Sequence, residues 1–89
     1  MPRLVFTRNV RRHVSVPPCD VAGQTVRQAL DVVFDVHPRL RGHVVDEHGA
    51  LRKHMMIFVD GEQIEDREQL SDKVAEDGEI FVMQALSGG

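Results

Sequence analysis

The 89-residue sequence has one cysteine, no tryptophan and no tyrosine. Cys19 alone cannot form an internal disulfide, so the fold has to hold without that staple. No apolar run approaches the roughly 20 residues that span a bilayer, so no membrane contact is expected. The opening residues, MPRLVFTRN, carry no long apolar stretch followed by a small-residue cleavage site, so they do not read as a secretory signal, and a cytoplasmic protein is expected. Positive charge is not in excess either. Eleven Lys and Arg stand against fourteen Asp and Glu, for a net charge of −3, which disfavours a general binder of nucleic-acid phosphates. The sequence shows no repeat, no internal linker and no paired acid/base or nucleophile–base constellation, so no catalytic residue is assigned. A chain of this length makes one small domain that buries only about 60% of the surface its unfolded form exposes, leaving little room for a deep substrate pocket.

What is present is the composition of a folded domain, 42% hydrophobic and 28% charged. Leu4, Phe6, Val14 and Val16 alternate with polar or basic residues in two stretches, Arg3 to Arg8 and Arg11 to Val16, which predicts two half-buried strands joined by a turn at Asn9-Val10. Pro17-Pro18 then stops the second strand, because proline cannot donate to a ladder. Val26, Ala29, Leu30, Val33, Phe34 and His37 recur at helical spacing, with Arg27, Gln28, Asp31 and Asp35 on the opposite face. Thr25 is the natural N-cap, Gln28 completes a capping box, and Pro38 disfavours helical geometry at His37 and ends the helix.

From Arg39 to His54 there is no clean period, and a long connection is expected. Met55 to Val59 reads as a strand, Asp60-Gly61 as a hairpin turn into Glu62 to Ile64, and Leu70 and Val74 as isolated apolar anchors. After a turn at Asp77-Gly78, Glu79 to Ala85 is a last strand, apolar on both faces as a central strand should be. The order strand, strand, helix, strand, strand, strand fits a β-grasp arrangement. This is an α+β fold with a mixed four- to five-stranded sheet, one helix on one face, and the first and last strands adjacent and parallel.

The segment from Ile57-Phe58 through Gly61, Gln63-Ile64-Glu65-Asp66 and Leu70-Ser71-Asp72 to the final Gly88-Gly89 is similar to ubiquitin in the order of its features. Leu51 to Ile64 and the turn Glu76-Asp77-Gly78-Glu79 resemble the ubiquitin-like small sulfur carriers, the family of the molybdopterin-synthase small subunit, the thiamine sulfur carrier and the cysteine-synthesis carrier. The long middle segment resembles the larger members. Met55-Met56 and Asp60 depart from that pattern, and the tail Leu86-Ser87-Gly88-Gly89 lacks the arginine that precedes the diglycine of ubiquitin, which favours a carrier over a modifier.

The resemblance implies a domain over residues 1–85 and a flexible tail over 86–89. In such a carrier an E1-like adenylating enzyme uses ATP to activate the Gly89 carboxylate, a persulfide converts it to a thiocarboxylate, and a sulfur-accepting synthase takes the sulfur. The carrier itself binds no cofactor and is a monomer when free. Independently of the family, Gly88 and Gly89 have no Cβ, so a thread of Leu86, Ser87, Gly88 and Gly89 can enter a narrow channel in a partner. Two alternatives remain open: a modifier conjugated through Gly89, or a non-covalent β-grasp binding module.

Strand alternation points Ile80 and Val82 to the helix and Phe81 and Met83 to the open face. It also assigns Met56 and Phe58 inward and Ile57 outward, giving a partner-binding patch of Ile57, Phe81 and Met83. His13, His37, His43, His48 and His54 are too widely spaced for a zinc site, and no metal is predicted. Cys19, beside Asp20, lacks the positive surroundings of a reactive thiolate. Arg39, Arg41, Arg52 and Lys53 form a solvated basic stretch.

Overall fold

The computed structural model describes residues 1–7 and 16–84. Among these residues, five strands and two helices follow one another: β1 (Arg3–Phe6), β2 (Cys19–Asp20), α1 (Val26–Val36), α2 (Pro38–Val44), β3 (Met55–Val59), β4 (Glu62–Gln63) and β5 (Glu79–Gln84). The strands form one mixed sheet in the order β2-β1-β5-β3-β4. The last strand occupies the centre, parallel to β1 and antiparallel to β3.

The expected second strand, Arg11 to Val16, lies outside the described residues except for Val16, which is buried. The partner of β1 is Cys19–Asp20, beyond the two prolines, with Leu4 opposite Cys19 and Arg3 opposite Asp20. The Val21 amide donates to the Pro2 carbonyl, so hydrogen-bonded positions alternate along β1 and place Pro17 where an N–H would next be required. The described ladder accordingly ends before Pro17. The expected turn at Asn9-Val10 and the core position Val14 lie outside the described residues.

Helix α1 forms where the periodicity placed it, burying Val26, Ala29, Leu30, Val33 and Phe34. Its start is capped twice over. The Thr25 Oγ1 accepts from the Gln28 amide at 3.2 Å, and Gln28 Oε1 accepts from the Gln24 amide at 2.8 Å. The amides of Val26 and Arg27 have no intrahelical acceptor and donate instead to the carbonyls of Asp72 and Leu70. Leu70, fully buried, holds a φ of +57° to make that contact.

Two expectations for the middle of the chain are corrected. Residues 38–44 are a helix, not part of a loop. His37 has non-helical backbone at the end of α1, and Pro38 begins α2, where a missing amide costs nothing and the fixed φ suits a helix. Leu40 and Val44, one turn apart, are fully buried, and α2 packs against α1. Arg27, expected on the solvent face, is half-buried. Its guanidinium donates to the carbonyls of Gly49 (2.6 Å), Gln69 (3.0 Å) and Glu68 (3.5 Å), stapling two loops to the helix start.

The hairpin turn after β3 forms as expected, with φ of +51° at Asp60 and +87° at Gly61, the paired positive values of a type I′ turn. Asp60 ties this turn to the start of β5, its amide donating to the Glu79 carbonyl and its carboxylate accepting from the Glu79 amide.

Candidate functional site

The face of the sheet opposite α1 is assembled by the strand registers. Residues directly opposite one another in neighbouring strands share a face. Val5 of β1 stands beside Phe81 of β5, and Phe81 beside Phe58 of β3. Met83 stands beside Met56. All five are half-buried, in contrast to Leu4, Phe6, Ile80 and Val82 of the same strands, which are at most 1% exposed beneath α1. At about 4.8 Å between strands and about 3.3 Å per residue, the patch is roughly 10 Å wide and 7 Å tall. It is bounded on one side by the charged row Asp20, Arg3 and Glu79, which are register partners across β2, β1 and β5.

The expected patch is corrected at one position. Ile57 is fully buried and lies opposite Val82, so it faces α1 and not the open side. Met56 and Phe58 take its place. The run Met55 to Val59 is apolar at every position, so nothing in it phases the alternation, and a slip of one residue exchanges the two faces. The fixed point was available in β5, where charged Glu79 precedes buried Ile80. Phe81 and Met83 lie on the open face. Helix α2, which opens the Arg39 to His54 segment, packs against α1.

Gln84, the last described residue, pairs with Met55 at the opposite end from the charged row. Leu86, Ser87, Gly88 and Gly89 lie outside the described residues. That end of β3 is tied down by Arg67, whose guanidinium donates to the carbonyls of Arg52 (2.8 Å) and Met55 (2.9 Å). Beyond the two-residue β4, an arginine thus fills the outer edge of β3.

Other polar groups support loops. Asp66 accepts from the amides of Glu68, Gln69 and Ser71 and from the Ser71 hydroxyl. The Gln69 amide first, and then the Ser71 hydroxyl, hold its carboxyl below the usual range. Asp46 accepts from the amides of Ala50 and His48, which lower its pKa in the same way. Burial first, and then neighbouring Asp20, push the Cys19 thiol up, away from a reactive thiolate. Among the described residues no group of three or more His, Cys, Asp or Glu is placed to hold a metal ion, and His13 lies outside them. His48 sits 3.6 Å from Glu47 on the surface. No helix of the described residues is long and apolar enough to cross a membrane.

No family model matches the chain, and no curated protein matches it by sequence. Solved structures do match, over nearly its whole length. SAMP1 from Haloferax volcanii, a small archaeal modifier protein, superposes with a TM-score of 0.78 at 25% identity, covering 99% of this chain and 98% of that one. A chain of the Amycolatopsis orientalis BexX/CysO complex gives 0.84 at 20% identity, covering all of both chains. CysO from Mycobacterium tuberculosis gives 0.81 at 15% identity, covering 97% of this chain and 100% of that one. The fold is the β-grasp. The structural neighbours of this β-grasp domain, whose own last described strand is central in its sheet, are small ubiquitin-like carrier and modifier proteins.

Proposed function

We propose that this β-grasp protein is a sulfur carrier of the cytoplasm whose working group is the Gly89 carboxylate. The observation that carries the reading is the placement of β5. The central strand brings the chain out beside a solvent-facing apolar patch and continues into Leu86-Ser87-Gly88-Gly89. The five residues after Gln84 reach at most about 18 Å when extended, enough to enter a neighbouring protein docked on the patch. A carboxylate is a poor acyl donor, so an E1-like partner adenylates Gly89 with ATP. Attack by a persulfide then yields a thiocarboxylate, and a sulfur-accepting synthase takes the sulfur for cofactor or amino-acid biosynthesis of the molybdopterin or cysteine type. Val5, Met56, Phe58, Phe81 and Met83 form the docking surface. Catalysis belongs to the partners, and the domain itself is a monomer that binds no cofactor.

A second reading is supported by the likeness to SAMP1: a modifier that forms isopeptide bonds through Gly89. Incubation with ATP, the cognate activating enzyme and a persulfide donor separates the two. A carrier gains the mass difference of one sulfur for one oxygen, whereas a modifier appears as branched peptides on lysines of other proteins. A protein lacking Gly89 that still supports its pathway would overturn both.

A further inference from the structure

Apart from the thiol of Cys19, the sulfur of this chain lies in four methionines, Met1, Met55, Met56 and Met83. The strand registers sort them by face. Met55 is 1% exposed and belongs to the core, whereas Met56 beside it is half-buried on the open side. Met83 is the register partner of Met56 and is half-buried in the same way. Directly opposite residues on one face have neighbouring side chains, so the two thioethers stand together. Phe58 and Phe81 are the next pair along that face, and Val5 adjoins Phe81. Two of the five side chains that make the patch therefore carry a sulfur open to small solutes.

The remaining sulfurs are placed elsewhere. Cys19 is the register partner of Leu4, which lies beneath α1, so Cys19 belongs to the opposite face of the sheet and lines a hollow with Val33 and Val36. Met1, 63% exposed, lines another hollow with Pro2, Gly23 and Val74, at the end of the sheet where β1 and β5 begin. Oxidation of either leaves the open face as it was.

We infer that Met56 and Met83 form an oxidation site through which a hydroperoxide turns the open face from apolar to polar while the domain stays folded. The thioether lone pair attacks a peroxide oxygen, an S–O bond forms and the O–O bond breaks. With hydrogen peroxide the departing hydroxide takes up a proton as water. Each sulfur is oxidised by two electrons and each peroxide reduced by two. A sulfoxide is strongly polar where the thioether was a flexible apolar group, so two of them side by side spoil a surface built to exclude water. Met55 stays a thioether because the core hides it, and the fold is kept. The change is reversible, since methionine sulfoxide reductases remove the oxygen as water while a dithiol becomes a disulfide. Its effect on a partner rests on the docking surface proposed above.

The test treats the full chain with hydrogen peroxide, then with dithiothreitol, which clears oxidised Cys19 and leaves sulfoxides in place. Peptide mapping should show one added oxygen on Met56 and on Met83 before any on Met55. Retention on a hydrophobic-interaction column should fall, the thermal transition should persist, and methionine sulfoxide reductases should restore retention. Met56→Leu/Met83→Leu should keep its retention through peroxide treatment. If that variant fails to fold, recovery by the reductases makes the same comparison on the parent chain. Met55 oxidised in step with the pair, neither Met56 nor Met83 oxidised, retention unchanged with both oxidised, or loss of the fold would each overturn the inference. With the activating enzyme, the oxidised chain should bind more weakly and recover on reduction. Phe81→Asp, which involves no sulfur, tests the docking surface separately. If it weakens binding and oxidation does not, the switch is wrong. If it binds normally, the docking reading fails and the oxidation site stands on mapping and retention.

Discussion

Ile57 and Val82 lie directly opposite each other in the β3·β5 ladder, and neither exposes any surface. This pair fixes which face of β3 is core. Ile57→Ala should lower stability by about 2–5 kcal/mol, as expected for truncation of a fully packed aliphatic side chain. Phe58→Ser, on the half-buried face one residue along, should cost clearly less. Urea denaturation of both variants checks the order, and a reversed order would put the patch back on Ile57.

Phe81 stands between Val5 and Phe58 on the open face. Phe81→Asp should weaken binding to the activating or sulfur-accepting partner while leaving the circular dichroism spectrum of the free protein native. Calorimetric titration measures the first and a thermal melt the second. Loss of the fold would show that Phe81 is core, and unchanged binding would move the docking surface elsewhere.

Arg27 joins helix α1 to the loops around Gly49 and Gln69. Arg27→Met keeps the stem but leaves those carbonyls without their donor, at a cost of about 1–3 kcal/mol. Gly49→Ala strains the same joint. The backbone there has φ +82°, which costs a non-glycine residue about 1–2 kcal/mol, and the new methyl would lie 3.1 Å from Arg27 Nη1. The double variant should lose less than the sum of the two, because both act on one contact.

Asp46 and Asp66 accept loop amides, and both carboxyls sit below their ordinary range. A pKa lowered by folding adds stability that is complete above the unfolded value, about 3.9 for aspartate, and fades as pH falls through the lower folded value. The acid limb of the stability curve should therefore flatten in Asp66→Asn, with little change in shape near neutrality. A limb identical to that of the parent would show that the loop amides do not favour the ionised Asp66 in the folded state over the unfolded one.

Removing Gly89 should abolish ATP-dependent activation with the melting temperature unchanged, because a terminal glycine has no side chain to bury. Gly88→Val should be nearly as damaging, since a β-branched residue widens and stiffens the thread. Pyrophosphate release with the activating enzyme measures activation, and retained release from the Gly89-deleted chain would exclude the terminus as the acceptor.

Much of this was legible in the residues. Thr25, Gln28 and the apolar stripe from Val26 to Phe34 specify α1 because capping and periodicity agree, and Asp60-Gly61 specifies its turn because only such residues adopt paired positive φ easily. Helix α2 was hidden by Pro38, which ends one helix and opens the next, and by Gly42 within it. Leu40 and Val44 were its only periodic signal. β2 was hidden because Cys19 and Asp20 make a two-residue edge strand with no pattern of its own. The open-face patch was half legible. Glu79 phases β5, but no charged residue phases Met55 to Val59, and only the pairing of Phe58 with Phe81 decides its face.

The parallel pairing of Arg3–Phe6 with Glu79–Val82 has a consequence for how the protein is made. The central strand is the last of the described sheet, so β1 emerges from the ribosome with no neighbour on its inner edge until residues 79–84 have been synthesised. The contact that completes the sheet closes a loop spanning most of the molecule, a slow, non-local step. A chain that stops short of residue 79 leaves β1 and β3 without the strand that joins them. Such fragments lack Phe81 and Met83, and with them the middle of the apolar face.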